Sequence, residues 1–352
     1  MSGTAALPVG EPPAATTNPS SGVPSLPGWL SLPVMLGTGA LITVQSQINQ
    51  ALAHRLGSGL RAAALAAVIS FGSGLVVLTV LALVNRPVGR GVLELGGAVR
   101  RRQVPLWSVL GGLGGAFFVF SQGVAAGPLG ITFFVICFVA GQAVTALLVD
   151  HHGWGPNGST ALSGTRVLGA GAAVLAVAIS GAGLAASAPV TALLVVLALL
   201  PLVAGALNSL QQGINGRLAV RSGAWVTTWN NFFVGTLALL VALLGALLLP
   251  GHLVGLPTSP WLYLGGLCGI GFIAASSITV RVHGVLVVGV FAVAGQVLAA
   301  AVIALLVSSA APGPTTWLAV LASLAGAVLV GLSQRRRRRT GPAEAAGPGR
   351  SR

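Results

Sequence analysis

Acidic residues are nearly missing from this chain: Glu11, Glu94, Asp150 and Glu344 are the only four in 352 residues. Charged residues of all kinds make up 6% and hydrophobic residues 55%, whereas a soluble domain carries about a quarter charged residues. So few charges cannot cover a water-facing surface, which excludes a soluble globular protein and makes lipid the main solvent. Lysine is absent, so the formal net charge of +14 comes from 18 arginines. They stand in loops between apolar runs and in the run Arg335 to Arg339, where basic residues set membrane orientation or hold anionic headgroups. No soluble domain is left to bind nucleic acid. Cysteine is scarce too. Cys137 and Cys268 lie inside apolar segments, without disulfide or metal-ligand spacing, and no cofactor or metal is expected. There is no H-E-x-x-H and no pair of carboxylates at mid-membrane depth, so the chain does not read as an enzyme. Residues 1–28 contain no Lys or Arg, hence no signal-peptide n-region; rich in Pro, Ser, Gly, Ala and Thr, they read as a disordered tail.

What is present in abundance is apolar sequence of spanning length. A bilayer crossing needs about 20 mostly apolar residues. Runs bounded by Gly, Pro, Arg or polar residues predict ten helices, at 32–54, 62–85, 106–126, 129–150, 166–186, 190–214, 225–249, 261–281, 284–307 and 315–333. Tight turns are expected around Gly127-Pro128 and His283-Gly284, and a polar loop at 87–104. With ten spans, 16 arginines fall on the side that holds both termini and only Arg55 and Arg61 on the other. The positive-inside rule then puts both termini in the cytoplasm.

The chain also repeats itself. Gly39 to Gly57 aligns with Gly205 to Gly223, with identities that include Gly39/Gly205, Gln45/Gln211, Asn49/Asn215 and Arg55/Arg221. Leu106 to Gln142 aligns without gaps with Pro260 to Gln296, sharing Trp107/Trp261, Gly111/Gly265, Gly115/Gly269, Phe118/Phe272 and Gln142/Gln296. Between these blocks, Phe71 to Gly74 fits Phe232 to Gly235. Each copy holds five predicted helices. An odd number forces the second copy to enter the membrane in the opposite sense, the inverted-repeat design of many transporters. The expected architecture is an all-α integral membrane protein. It comprises the tail 1–28, a first five-helix repeat at 29–186, a second at 187–333 and a basic cytoplasmic tail at 334–352.

Gln45-x-x-Ile48-Asn49 with Leu56-Gly57-Ser58, then Ile69-Ser70-Phe71, Gly111-Gly112 and Ala140-Gly141-Gln142, resembles the YdcZ-like inner-membrane exporter family of the drug/metabolite transporter superfamily. Members are often single five-helix units, and this chain resembles two units fused over about residues 32–333. The resemblance implies a bacterial multi-pass inner-membrane protein that exports small molecules. The chain has no counterpart of the buried membrane glutamate of the related small multidrug exporters, which argues against proton-coupled cation exchange by that mechanism.

Candidate pathway residues are polar groups that lipid cannot satisfy. Gln45 and Asn49 are four apart and share a helix face, as do Gln211 and Asn215, while Asn208 and Gln212 form a second such pair. These amides must face the interior, either as lining of a solute path or as bonds between helices. Gln142 and Gln296, preceded by Gly141 and Gly295, are the expected midplane pair. Trp229 and Asn230, with Trp225 and Asn231, form either an aromatic wall or an interfacial belt. Trp29, Trp107, Trp261 and Trp317 read as interface anchors. Gly111/Gly115 and Gly265/Gly269 have the spacing for close helix packing. Asp150, His151 and His152 form either a cytoplasmic relay or a solvated helix end, with His283 in a turn. The function expected is small-molecule export by alternating access; a membrane scaffold or lipid-binding protein is the alternative. Arg335 to Arg339 are the candidate lipid contact. Two fused units are expected to act as a monomer with an internal pseudo-dimer, or as a homodimer.

Overall fold

The computed structural model describes residues 28–161, 164, 167, 168, 170, 171, 191–307 and 321. Of the ten expected spans, those at 166–186 and 315–333 lie outside the described residues except at 167, 168, 170, 171 and 321, and the Arg335 to Arg339 run lies wholly outside them. The other eight are helices: α1 (Gly28–Leu56), α2 (Gly59–Val84), α4 (Gly112–Leu129), α5 (Ile131–His151), α6 (Ala192–Ser222), α7 (Ala224–Ala246), α8 (Gly265–His283) and α9 (Val285–Val307), with a shorter α3 (Arg86–Arg100) after α2. All but α1 and α3 are long and apolar enough to cross a membrane. At 29 residues α1 has the length, about 43 Å at 1.5 Å per residue, but its amides and hydroxyls lower its hydropathy. Exposed side chains are apolar, such as Val76, Val80 and Leu83 on α2 and Val241 and Leu244 on α7, while buried ones include Gln45, Asn49, Gln122, Gln142 and Gln296. That inversion of the water-soluble pattern marks an all-α membrane protein.

Two local expectations are corrected. The 87–104 segment is mostly helix. Asn85 Oδ1 accepts from the Val88 N–H at 3.3 Å and Pro87 lies in the first turn, a good helix start. Val88, Val92, Leu95 and Val99 recur at helical spacing; Val88 and Leu95 are buried and Arg86, Arg90, Glu94 and Arg100 exposed. Its apolar face packs on the bundle, where Val88, Leu95 and Ala98 cluster with Val109, Leu218 and Val226. The turn expected at Gly127-Pro128 falls instead at Gly130, with Pro128 in the last turn of α4. A proline removes one donor, but the reversal needs a positive φ, and Gly130 supplies it at 74°. The turn at His283-Gly284 stands as expected, with Gly284 at φ 82°.

Helices from the two halves interleave. α5 packs chiefly on α6, α1 on α9, α4 on α6 and α1 on α8, while α2 meets α7. Equivalent residues make equivalent contacts at these crossings. A Cβ at Gly39 would overlap the Ala292 carbonyl, and one at Gly205 the Phe138 carbonyl; Ala292 and Phe138 are themselves repeat-related. Gly141 and Gly295 sit in the same way on Leu202 and Leu36. At one end of the bundle, Gly57–Ser58 after α1 pairs antiparallel with Gly251–Leu253 after α7, and Arg61 Nε donates to Leu249 O at 2.8 Å. At the other, Gly91 of α3 meets Val226 of α7 and Arg221 at the end of α6 donates to Gln103 O at 3.1 Å.

Gly39→Ala and Gly205→Ala should each lower stability by about 1–3 kcal/mol, the range for overpacking. Gly37→Ala, whose Cβ meets nothing within 4 Å, should leave it unchanged or raised. Thermal denaturation of the purified protein checks this, and equal midpoints for Gly39→Ala and Gly37→Ala would contradict the close crossing.

Candidate functional site

The two amide strips are both buried, and each is bonded to a neighbouring helix. Gln45 and Asn49 are 3% and 1% exposed. Asn49 Nδ2 donates to Gln122 Oε1 of α4 at 3.1 Å. Gln122 Nε2 donates to Ser46 Oγ at 2.5 Å, and Ser46 Oγ to the Ile42 carbonyl at 2.7 Å. In α6, Gln211 Nε2 donates to Asn231 Oδ1 of α7 at 2.9 Å. Asn231 Nδ2 donates to Asn215 Oδ1 at 2.6 Å and to the Thr227 carbonyl at 3.2 Å. That last bond orients the network. A carbonyl only accepts, so Asn231 must turn its NH₂ to Thr227 and its oxygen to Gln211. Gln211 therefore presents its NH₂ to Asn231 and leaves Oε1 free.

Between the halves lies a small cavity. Its lining pairs Gln45 with Gln211, Phe71 with Phe232, Phe118 with Phe272, Gly115 with Gly269 and Val119 with Ile273, and adds Asn208. The Phe71 and Phe232 rings are 4.9 Å apart at 32°. The glycines admit the polar groups up to the backbone: a Cβ would sit 3.2 Å from Gln211 Nε2 at Gly115 and 3.0 Å from Gln45 Nε2 at Gly269. Asn208 Nδ2 and Gln211 Oε1 are buried without a hydrogen-bond partner. No lining residue is charged. The space admits about one water molecule.

The other candidates lie elsewhere. Gln142 and Gln296 are 1% and 0% exposed but do not line this cavity. Their backbone carbonyls accept from Ser209 Oγ at 2.7 Å and Thr43 Oγ1 at 3.1 Å, a repeat-related pair of bonds, and their side-chain amides have no partner. Trp229 stacks on Phe233 at 5.1 Å between centroids, with Nε1 donating to Thr79 Oγ1 at 3.1 Å. Asn230 Nδ2 donates to the Val109 carbonyl at 2.8 Å, fixing α7 to the turn before α4. Trp225, Trp107 and Trp261 are about half exposed, consistent with interface anchors. Gln122 and the phenylalanine pair were not singled out as site residues from sequence, and Asn231 was grouped with the tryptophans rather than with the α6 amides it bonds. Phe71/Phe232 was visible in the repeat alignment, whereas Gln122 aligns with Ser276 and gives no repeat signal.

Asp150 also differs from expectation. It is no solvated helix end but 5% exposed, and its two carboxylate oxygens accept from the Val285 and Leu286 N–H groups at 3.1 and 3.0 Å. The first turn of a helix has free N–H groups and a positive dipole end, so a carboxylate from α5 caps α9. His151 and His152 are exposed, with the His152 ring stacked on Trp154. The loop after α5 lies on the end of α6, where Arg217 donates to the Gly155 carbonyl at 3.1 Å and to that of Gly153. Among the described residues no cluster of His, Cys, Asp or Glu could hold a metal ion.

An apolar exterior, spanning helices and an amide-lined interior define a multi-pass membrane protein of the transport class. The chain belongs to the YdcZ family, described as "Putative inner membrane exporter, YdcZ", whose pattern matches residues 30–179 and again 196–332. Two matched regions are consistent with a fusion of two family units, and the family makes the protein a multi-pass inner-membrane transporter. No curated protein and no solved structure matches the chain significantly.

Asn231→Leu should destabilise the protein by about 1–3 kcal/mol, since it strands Gln211 Nε2 and Asn215 Oδ1. Asn231→Leu with Asn215→Leu should cost less than the sum of the single changes; additivity in a double-mutant cycle would show that the bond is not made. Asp150→Ala should cost about 0.5–2 kcal/mol, the usual worth of a cap, and Asp150→Asn less. Denaturation midpoints of the two variants read the difference.

Proposed function

We propose that the protein is a bacterial inner-membrane exporter of small molecules, of the drug/metabolite transporter type, working by alternating access. Its working parts are two inverted five-helix repeats, residues 29–186 and 187–333, in a monomer that carries its pseudo-dimer internally, with both termini in the cytoplasm. The observation that carries this is the meeting of repeat-related residues around one cavity. Gly111 seats Asn215 and Gly265 seats Asn49, while Gln45 and Gln211 enter the cavity from α1 and α6. Inversion is supported by the ends of the two amide helices. α1 runs into the strand that pairs with the segment after α7, and α6 ends against the segment after α2. Two similar units in opposite senses can rock about a shared site and expose it to either side in turn. The arginine bias supports the orientation. Here Gln45, Gln211 and Asn208 contact the solute, Asn49 and Asn215 with their partners hold the helices, and Gln142 and Gln296 lie at the crossings that move. Arg335 to Arg339 hold anionic headgroups beside the membrane.

Reconstituted into liposomes and screened against small solutes, the wild type should give saturable flux. Gln45→Leu/Gln211→Leu should reduce it about tenfold or more, the factor for losing roughly 1.4 kcal/mol of contact, while Gln142→Ala/Gln296→Ala tests the crossings. No flux across a broad panel would favour the scaffold. Impermeant thiol reagents should reach Arg55→Cys only from outside and Arg221→Cys only from inside; labelling of both from one side would sink the inverted repeat.

A further inference from the structure

The central cavity has a chemistry specific enough to name the class of solute it takes, an inference that rests on the transport proposal above. Three properties of the lining matter. First, no charged side chain lines it, so a charged solute would lose its hydration with no counter-ion to replace it. Second, two buried polar atoms are left unpaired: Asn208 Nδ2, a donor, and Gln211 Oε1, an acceptor. They lie three residues apart on α6, hence side by side on one helix surface. Gln211 cannot turn to exchange its oxygen for its nitrogen without breaking the Asn231 bond, which the Thr227 carbonyl fixes in turn. Third, the Phe71 and Phe232 rings pack against each other in the lining, 4.9 Å between centroids, and Gly115 and Gly269 keep its walls free of side chains beside the amides.

An adjacent donor and acceptor are matched by a group with an acceptor and a donor side by side, which is the edge of a carboxamide, lactam or urea. Two apposed aromatic rings are matched by a flat apolar body that enters when they part. We infer that the cavity binds uncharged, planar aromatic solutes bearing a carboxamide-like edge, the solute's carbonyl accepting from Asn208 and its N–H donating to Gln211. A lipophilic cation is the competing ligand, since aromatic faces attract cations, but nothing in the lining would neutralise it.

The test uses the full chain in lipid nanodiscs with three near-isosteric probes: nicotinamide, the nicotinate anion and the 1-methylnicotinamide cation. Binding is read by equilibrium dialysis. Nicotinamide should bind, with both charged probes at least about tenfold weaker. Asn208→Leu removes a donor that no protein group uses, so it should keep the fold while weakening nicotinamide about tenfold. Gln211→Glu should turn the preference toward the cation, a gain that misfolding cannot imitate. Equal binding of a charged probe, no effect of Asn208→Leu, or no binding of any probe overturns the inference. Amide-selective binding without flux in liposomes would leave the inference standing and refute transport. Flux of charged solutes abolished by Gln211→Leu would do the reverse.

Discussion

A side-chain amide in a bilayer has no water to bond, and most of this structure follows from meeting that need. The amides of α1 and α6 can be buried only if other helices come close enough to cover or bond them. Close approach of backbones requires residues without side chains at the crossings. Gly111 and Gly265 provide it for Asn215 and Asn49, Gly115 and Gly269 for Gln211 and Gln45, and Gly39, Gly205, Gly141 and Gly295 for the helices on either side. Eight of the 51 glycines are thus the counterpart of the polar interior. Lipid does not drive apolar helices together as water does; tight packing and polar bonds must do so, and here both occur at the same places.

Much of this was legible in the sequence because it depends on composition and repetition. The scarcity of charge fixed the solvent. The paired blocks identified the glycines that pack closely and the amides that are buried. Other features depend on which way a helix turns, and these were hidden. A helix that is apolar on all sides carries no periodic signal of orientation, so nothing in the sequence set Gln45 and Gln211 in the cavity and Gln142 and Gln296 outside it. The 87–104 segment shows the opposite failure: its apolar residues do keep helical spacing, but glycines and arginines between them read as loop. Asp150 was misjudged because its partners, the N–H groups of residues 285 and 286, are 135 and 136 positions away and carry no side-chain signature.

The two copies have diverged where their surroundings differ. Asn231 orients Gln211, but the residue aligned with Asn231 is Ser70, which leaves Gln45 without that restraint. Conversely, Gln122 serves the α1 strip, and its counterpart Ser276 cannot span the same gap. At the end of α6, Gly213 and Gly216 make room for Trp154, Gly155 and Pro156 of the loop after α5. The aligned residues on α1 are Gln47 and Gln50, which carry side chains where α6 has none. Both strips are thus held, but by different partners: α6 through Asn231 and α1 through Gln122.

The capping of α9 by Asp150 bears on how the chain comes to its final form. During synthesis α5 is complete long before α9 exists, and its carboxylate waits without its partner amides. The first turn of α9 is likewise unfinished until α5 is beside it. Add the packing of α1 against α9 and of α5 against α6, and neither sequence repeat is a self-contained structural unit. The two family matches mark a boundary of ancestry; the assembled protein has its boundaries elsewhere, between interleaved helices drawn from both copies.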